Sequence, residues 1–278
     1  MTEITTVSGD KVTIGIGSGT SVKDLKRGNP TEENQDLIID LLRYAIDTGF
    51  NHIDTAEVYT TQPEVGRAIE GYDREKLWIT TKYAVSSSII KKKSFTPTAF
   101  VEQALHELGT GYIDLLLIHS PPKPDQEYTI ESLWEELVEI KKAGKVRFVG
   151  VSNFNVEQLK KVLNVSQEHG VFPLVNQIQY YVGSDKLPIV EFSKDNGIII
   201  EAYGPLTPLR SPNEKLDVLL GQLEKKYDAT NAQILLSALL ARNILPITTS
   251  FKKHRLEEAI QTYKIDIDQS DLKLLESI

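Results

Sequence analysis

The sequence lacks cysteine altogether, has no long apolar run and is short of positive charge. Without cysteine there is no disulfide framework, no thiolate nucleophile and no cysteine-ligated metal. No apolar run reaches the ~20 residues that a membrane-spanning helix needs, and residues 1–7 lack the apolar core of a signal peptide. Lys and Arg total 31 against 39 Asp and Glu, which gives a net charge of −8. We therefore expect a cytoplasmic protein that binds neither nucleic acid nor membrane.

Short apolar runs alternate with amphipathic stretches along all 278 residues. The clearest run, 113–119, is nearly continuous in apolar character, as in a strand covered on both faces. Similar runs lie at 12–17, 52–56, 77–82, 146–150, 174–178, 198–203 and 245–249. This alternation predicts an α/β fold, a (β/α)8 TIM barrel, in which residues 4–7 and 12–17 form an N-terminal β-hairpin. No linker interrupts the pattern, so we expect a single domain across residues 1–278.

The glycine-rich segment 15–20 is similar at first sight to a dinucleotide-binding loop. Its third glycine comes one position too early, and no helix is expected directly after it because residues 27–30 are typical of a loop. We therefore predict tight turns that lead into a barrel strand, not an open dinucleotide-binding sheet.

Four side chains that can move or stabilise a proton follow the predicted strands. Asp54 and Tyr59 come after the second main strand, Lys82 ends the next strand and His119 ends the run at 113–119. In a parallel barrel, residues at the carboxyl ends of the strands share one rim and form the active site. Each could serve structure alone, as a helix cap, a half-buried aromatic, a strand end and a core histidine. Together they predict a proton donor.

The chemistry of this set follows from the pKa of tyrosine, which is about 10 and too high for an ideal acid at neutral pH. A neighbouring ammonium lowers that pKa, and a carboxylate keeps the ammonium charged and in place. We therefore predict the order Asp54, Lys82, Tyr59, with the Tyr59 hydroxyl aimed at a substrate oxygen and neutral His119 bound to the same oxygen. Reduction of a carbonyl also needs hydride, which no side chain supplies, so a cofactor is implied.

These residues lie within motifs that resemble those of the aldo-keto reductase family. Segments similar to the family's motifs lie, in the family's order, at 49–59, 115–121, 150–154, 173–177 and 201–206. The resemblance runs from about residue 12 to residue 259. Within the family the chain is most similar to fungal reductases with a Thr-Thr-Ser segment near the C-terminus, here 248–250, which reduce ketones, dicarbonyls and aldehydes.

The resemblance implies a monomeric, NADPH-dependent reductase of aldehydes and ketones whose catalytic residues are Asp54, Tyr59, Lys82 and His119. It implies that Ser152, Asn153 and Gln177 hold the carboxamide of the nicotinamide, since a hydroxyl and amides suit its donor and acceptor. It also implies that Tyr203 stacks on the nicotinamide ring, and that Asp54 lies beside the cofactor. It places the pyrophosphate near Ser18, Gly19, Gly204, Leu206 and Arg210. It assigns the adenosine end to Thr249, Ser250, Lys252, Arg255 and Glu258.

The adenosine end departs from the family pattern. Thr249 stands where many relatives carry a lysine before the serine that binds the 2′-phosphate, and Ala259 replaces the usual asparagine. Lys252 and Arg255 place positive charge at a helix start, where it opposes the helix dipole and is better explained by a phosphate ligand. We therefore predict a preference for NADPH over NADH.

The substrate side departs from the pattern as well. Ser120 follows His119 where many relatives carry a tryptophan, and the chain ends at Ile278, before the tail that closes over the pocket in many relatives. Tyr83 is predicted to form another wall. The loop that follows Ser120 is stiffened by Pro121, Pro122 and Pro124. These features predict a wide site that accepts activated carbonyls, namely aromatic aldehydes, α-ketoesters and vicinal diketones, over sugars.

Other interpretations remain open at this point. A metal-dependent hydrolase could use His52, Asp54 and His119 as ligands. An aldolase could use Lys82 as a Schiff-base nucleophile. A regulatory subunit of the same fold could bind NADPH and a partner protein while turning over slowly.

Overall fold

The computed structural model describes residues 4–28, 30–85, 96–123, 127–211 and 213–278. In this part of the chain eight strands pair in chain order, each parallel to the next, and the last pairs with the first to close a barrel. The strands are β1 Gly15–Gly17, β2 His52–Asp54, β3 Trp78–Tyr83, β4 Ile113–Ile118, β5 Val146–Ser152, β6 Val175–Gln179, β7 Ile199–Tyr203 and β8 Ile244–Thr248. The predicted (β/α)8 TIM barrel is confirmed, and each predicted apolar run overlaps a strand.

Helices alternate with the strands and cover the outside of the barrel. They are α1 Ser21–Gly28, α2 Glu32–Thr48, α3 Gln62–Ile69, α4 Pro97–Leu108, α5 Ile130–Lys142, α6 Val156–His169, α7 Leu187–Asp195, α8 Glu214–Tyr227, α9 Asn231–Ala241, α10 Lys253–Gln261 and α11 Gln269–Glu276. Because helices cover the barrel, the strands are buried on both faces, which explains their continuous apolar character. Within the described residues, no helix is long and apolar enough to cross a bilayer.

Over residues 4–12, the N-terminal hairpin is a tight turn that one antiparallel bridge closes. The bridge pairs Thr5 with Lys11, and the Val12 amide donates to the Ile4 carbonyl beside it. The regular strand β1 begins only at Gly15, so this hairpin is shorter than the sequence predicts.

The segment after β1 also differs from the prediction. Helix α1 begins at Ser21, directly after Thr20, and covers part of the predicted loop at 27–30. The backbone of Thr20 turns through a φ of 48°, and its carbonyl accepts from the Asp24 amide to start the helix. Its two apolar residues, Val22 and Leu25, lie three positions apart on one face, but eight residues with only two apolar side chains are too few to distinguish a helix from a loop. The sheet is nonetheless closed, as the barrel prediction requires.

The inside of the barrel is apolar at one end and polar at the other. Trp78, at the start of β3, packs inside the barrel with Leu115 and Val175. Two residues further along the same face, Thr80 bonds to the Trp78 indole at 3.2 Å, and Lys82 follows it at the end of the strand. The polar layers therefore lie at the carboxyl ends of the strands, where barrel enzymes bind their substrates.

Candidate active site

Asp54 and Lys82 form a buried ion pair at the carboxyl ends of β2 and β3. The Lys82 ammonium lies 2.6 and 2.7 Å from the two carboxylate oxygens of Asp54 and also donates to the Thr55 carbonyl at 2.9 Å. Burial favours a neutral amine, but the charge of Asp54 and the hydrogen bond to it raise the pKa of Lys82 above its ordinary value. Lys82 is therefore a fixed positive charge that solvent does not reach.

Tyr59 lies on the 3-10 turn Glu57–Tyr59, which follows β2. Lys82 Nζ lies 5.0 Å from the centre of the Tyr59 ring. Burial raises the pKa of Tyr59 above its ordinary value, and the charge and hydrogen bond of Lys82 offset only part of this rise. Lys82 does lower the pKa of Tyr59, as predicted, but removal from water disfavours the phenolate more than Lys82 favours it, so the net pKa lies above the ordinary value. Tyr59 keeps its proton at neutral pH.

His119 follows β4 and faces Tyr59, with the two rings at right angles and 5.6 Å between their centroids. Burial and the charge of Lys82 lower the pKa of His119 to about 3, so the imidazole is neutral as predicted. Its Nδ1 is buried and has no hydrogen-bond partner among the described residues. The structure thus brings Asp54, Tyr59, Lys82 and His119 together.

Ser152, Asn153, Gln177 and Tyr203 form a hydrogen-bonded cluster beside the ion pair. Ser152 Oγ donates to the Gln177 carbonyl at 2.8 Å, and the Tyr203 hydroxyl donates to Asn153 Oδ1 at 2.9 Å. Asn153 Nδ2 in turn donates to the His119 carbonyl at 3.0 Å. The cluster therefore ties the ends of β5, β6 and β7 to His119 at the end of β4.

Glu201 is a site residue that sequence reasoning missed. It lies on β7 without any exposed surface, and Gln177 Nε2 donates at 2.9 Å both to its Oε2 and to Asp54 Oδ1. Burial raises the pKa of Glu201 to about 8, although the hydrogen bond from Gln177 acts in the opposite direction. The available signal was a single carboxyl group within the apolar run 198–203, since an unpaired acid in a buried strand is rare.

The segment that follows β1 lies against the catalytic groups. The Ser18 amide donates to the Asp54 carbonyl at 2.8 Å, and the Ser18 hydroxyl accepts from Thr61 at 2.8 Å. The Ser18 amide is thus engaged within the barrel, and the contact of its backbone with the pyrophosphate stays a prediction. Gly19 lies against the Tyr59 ring, and a β-carbon at this position would be 2.9 Å from Tyr59 Cζ. Ser18 and Gly19 therefore both pack against the segment that carries Asp54 and Tyr59.

Tyr83 does not lie where the sequence prediction puts it. Its side chain is fully buried and packs on Phe100 of α4, with ring centroids 5.8 Å apart. Successive side chains of a strand point to opposite faces, so Lys82 inside the barrel requires Tyr83 outside it. A wall of the substrate site formed by Tyr83 does not fit this placement.

Ser120 lies exposed beside the catalytic rim, directly after His119. Its hydroxyl donates to the His119 carbonyl at 2.8 Å, so the side chain turns back toward the strand. Pro121 and Pro122 follow at the surface, and Pro124 lies outside the described residues.

The residues predicted near the pyrophosphate follow β7. Gly204 adopts a left-handed backbone with a φ of 65°, a conformation that glycine reaches without strain. Leu206 precedes the 3-10 turn Thr207–Arg210, and Arg210 is exposed at its end.

The residues predicted at the adenosine end follow β8. Thr249 Oγ1 is buried and has no hydrogen-bond partner within the described part of the chain. The Ser250 hydroxyl accepts from the Lys252 amide at 3.1 Å. Lys252 and Arg255 are exposed at the start of α10, and Glu258 is half-buried one turn further along. A buried hydroxyl without a partner next to two exposed cations suits a polar, anionic ligand.

The geometry also bears on two alternative chemistries. In the ranges that the structure describes, no three His, Asp or Glu side chains are grouped so that they could hold a metal ion. His52, a ligand in the hydrolase hypothesis, is buried and bonds to Thr80 at 3.1 Å. A Schiff-base lysine must be a neutral amine to attack a carbonyl, whereas Asp54 keeps Lys82 charged. Neither chemistry is supported by these contacts.

Comparison with known proteins identifies the family. The Aldo/keto reductase family profile matches residues 13–278. The chain belongs to the aldo/keto reductase family. The resemblance predicted from the motifs is confirmed, and the protein is an NAD(P)H-dependent oxidoreductase that reduces carbonyl compounds.

Two fungal relatives are similar over most of their length. The chain is 33% identical over 269 residues to the NADPH-dependent alpha-keto amide reductase of Saccharomyces cerevisiae, covering 92% of this chain and 83% of that protein. It is 35% identical over 271 residues to the NAD/NADP-dependent indole-3-acetaldehyde reductase of Schizosaccharomyces pombe, covering 95% and 90%. The similarity to fungal reductases predicted from the sequence is thus confirmed.

Solved structures of aldo-keto reductases have the same fold. A Bombyx mori aldo-keto reductase in complex with NADP superposes with a TM-score of 0.78 at 27% identity, covering 99% of this chain and 92% of that chain. A thermostable aldo-keto reductase in complex with the inhibitor epalrestat superposes with a TM-score of 0.82 at 28% identity, covering 100% and 99%.

Proposed function

We propose that this aldo/keto reductase reduces aldehydes and ketones to alcohols with NADPH, and that Tyr59 donates the proton. The observation that carries the proposal is a protonated phenol, Tyr59, whose ring centre lies 5.0 Å from an ammonium, Lys82, that Asp54 holds in place. When bound, the nicotinamide supplies hydride. The side chains hold the substrate oxygen and supply its proton.

Tyr59 releases its proton only when the substrate oxygen becomes strongly basic. Burial raises the pKa of Tyr59, so the hydroxyl is intact when a carbonyl compound binds. The alkoxide formed by reduction is much more basic than a phenolate, so the proton then moves downhill. Lys82 stabilises the phenolate that remains, and Asp54 keeps Lys82 charged throughout.

His119 orients the carbonyl for this transfer. Its pKa of about 3 keeps the imidazole neutral, and a neutral imidazole has one N–H donor. We infer that this N–H donates to the same oxygen that Tyr59 protonates. Two donors at one oxygen fix the carbonyl carbon for hydride and stabilise the charge that develops.

The cluster beside the ion pair fits a nicotinamide. Ser152, Asn153 and Gln177 present a hydroxyl and two amides, which match the donor and acceptor of a carboxamide. The Tyr203 ring is half-buried and its hydroxyl is held by Asn153 at 2.9 Å, so one aromatic face can stack on the nicotinamide. Asp54 lies next to this cluster through Gln177.

The preference for NADPH rests on α10 and the segment before it. Lys252 and Arg255 supply two exposed positive charges, and Ser250 and Thr249 supply hydroxyls for a 2′-phosphate. Arg210 offers a further cation to the pyrophosphate. One relative is named NADPH-dependent and another NAD/NADP-dependent, so these local residues must decide the preference.

We also propose activated carbonyls as substrates: aromatic aldehydes, α-ketoesters and vicinal diketones. Among the described residues, small, exposed Ser120 does not close the rim beside His119, and Tyr83 does not narrow it from β3. The names of the relatives include an alpha-keto amide and an aldehyde as substrates. A panel of such carbonyls against aldoses tests this, and a strict preference for one aldose would contradict it.

The decisive experiment is Tyr59→Phe, with NADPH oxidation followed by the loss of its absorbance. We expect kcat to fall by about a thousandfold or more, while cofactor binding persists because the ring and its packing remain. Tyr72→Phe is the matched control, since its hydroxyl donates to Asp47 away from the site. A Tyr59→Phe protein that reduces ketones at the wild-type rate would show that the proton comes from elsewhere.

We further propose that residues 1–278 act as one domain, and that the protein is a cytoplasmic monomer. Size-exclusion chromatography with light scattering tests the oligomeric state, for which we expect the mass of a single chain.

A further inference from the structure

Glu201 is a buried carboxyl group to which the proposed proton transfer gives no role. It faces the barrel interior from β7, where its Oε2 accepts from Gln177 at 2.9 Å. Its Oε1 has no hydrogen-bond partner among the residues that the structure describes, and His52 Nε2 lies 4.0 Å from it. A buried carboxyl group with an incomplete set of hydrogen bonds is destabilising. The interaction through which Glu201 can act is the hydrogen bond that it accepts from Gln177.

Both N–H groups of the Gln177 side chain are taken by carboxyl groups. Its Nε2 donates at 2.9 Å to Asp54 Oδ1 and at 2.9 Å to Glu201 Oε2. A primary amide has two N–H donors on its nitrogen and an acceptor on its oxygen. With the nitrogen held from two sides, only the oxygen is left to face a ligand. Rotation of the amide by half a turn would bring that oxygen against the Asp54 carboxylate, which repels it.

We propose that Glu201 is a positioning residue that, with Asp54, holds the Gln177 amide so that its oxygen accepts from the carboxamide N–H of the nicotinamide. This inference rests on the proposed function, because it assumes that the ligand is a nicotinamide. Asp54 alone is a weaker anchor, since both its oxygens are already bound to Lys82. The second carboxyl group fixes the amide in one of its two orientations, and the carboxamide then fixes the orientation of the ring.

The charges around Glu201 agree with this role. The titratable groups that face it are Asp54, Lys82 and His52. Burial raises the pKa of Glu201 to about 8, so near neutral pH it is largely a neutral acid. A neutral acid accepts a hydrogen bond through Oε2 without placing a second negative charge beside Asp54.

The test compares two ligands that differ in the nicotinamide. Dissociation constants are measured by calorimetry for NADPH and for 2′-phosphoadenosine 5′-diphosphoribose, which lacks the nicotinamide. We expect Glu201→Leu to weaken NADPH binding about tenfold, the effect of leaving one buried N–H unpaired, and to leave binding of the shorter ligand within about twofold. Ile199→Leu is the matched control, because Ile199 packs inside the apolar part of the barrel on the same strand.

Glu201→Gln provides a second variant of nearly the same size. Its side-chain oxygen can still accept from Gln177, but its nitrogen can face Gln177 instead, so we expect an intermediate loss of about threefold for NADPH alone. This variant keeps the test available if Glu201→Leu does not fold.

The outcomes separate the possibilities. Equal weakening of both ligands would make Glu201 a purely structural residue and overturn the inference, as would unchanged NADPH binding in both variants. A wild-type protein that binds the shorter ligand as tightly as NADPH would show that the carboxamide gains nothing at Gln177, which also overturns it. A wild-type protein that binds neither ligand would overturn the proposed function itself.

Discussion

Gly19 lies so close to the face of the Tyr59 ring that no side chain fits between them. A β-carbon at Gly19 would lie 2.9 Å from Cζ and 3.0 Å from Cε2 of the ring. The ring has little freedom to retreat, since Lys82 and His119 face it at 5.0 and 5.6 Å. The glycine therefore helps to determine where the Tyr59 hydroxyl lies.

We predict that Gly19→Ala lowers kcat by about tenfold to a hundredfold, because displacement of a catalytic group by a few tenths of an ångström or more disturbs its alignment with the substrate. Steady-state reduction of an aromatic aldehyde by NADPH measures the effect. Gly111→Ala is the control, since nothing lies within 4 Å of a β-carbon there. Equal kcat values for both variants would mean that the Tyr59 ring moves without consequence.

Individual residues also show where sequence reasoning ends. The types of the catalytic residues and their positions at strand ends indicate proton transfer, because parallel strands share one rim. The pKa of Tyr59 could not be predicted, since it depends on burial by parts of the chain that are distant in sequence. The outward direction of Tyr83 could have been predicted, because it follows inward-facing Lys82 on the same strand.

At the scale of elements, β7 carries a carboxyl group into the barrel and makes stability depend on pH. The unfolded chain releases the Glu201 proton near pH 4.5, whereas the folded protein holds it until about pH 8. Because the folded state binds more protons between these values, its stability falls as the pH rises through this range. The neighbouring charged groups Asp54, Lys82 and His52 are present in the wild type and in a Glu201 variant alike.

We predict that Glu201→Gln removes this part of the pH dependence. The variant has no proton to lose at this position, so its free energy of unfolding relative to the wild type rises between pH 4.5 and 8, with a limiting slope of about 1.4 kcal/mol per pH unit. Urea unfolding at several pH values within the range measures the difference. Parallel curves for the two proteins would contradict the raised pKa of Glu201.

Helix α1 shows why some elements escape prediction. Its Lys26 donates to Glu64 at 2.6 Å and to the Thr60 carbonyl at 2.5 Å, and so ties the helix to the turn that carries Tyr59. Glu64 and Thr60 lie 38 and 34 residues further along the chain, and a helix of eight residues with only two apolar side chains is too short to be predicted from its periodicity. The strands were predictable because burial on both faces requires continuous apolar runs.

At the scale of the whole molecule, a net charge of −8 opposes the binding of any anionic cofactor. The cations at the start of α10 counter this locally, but they do not all have the same role. Lys252, Lys253 and Arg255 are all exposed, but Lys253 Nζ also lies over the Tyr44 ring, 4.5 Å from its centre. The sequence shows the cluster of positive charges, but only the fold shows which members are engaged within the protein.

Because one of these cations contacts Tyr44, the cofactor preference can be tested with variants that each remove the same charge from the same helix start. We predict that Lys252→Met and Arg255→Met each raise the KM for NADPH by about tenfold and leave the KM for NADH nearly unchanged, because a charge-assisted contact to the 2′-phosphate contributes about 1.5–3 kcal/mol. Lys253→Met removes the same charge from the same helix, so it reports the general electrostatic effect alone. If all three variants raise the KM for NADPH equally, long-range attraction to the cluster governs the preference; if none does, the 2′-phosphate is bound elsewhere and the assignment to α10 is wrong.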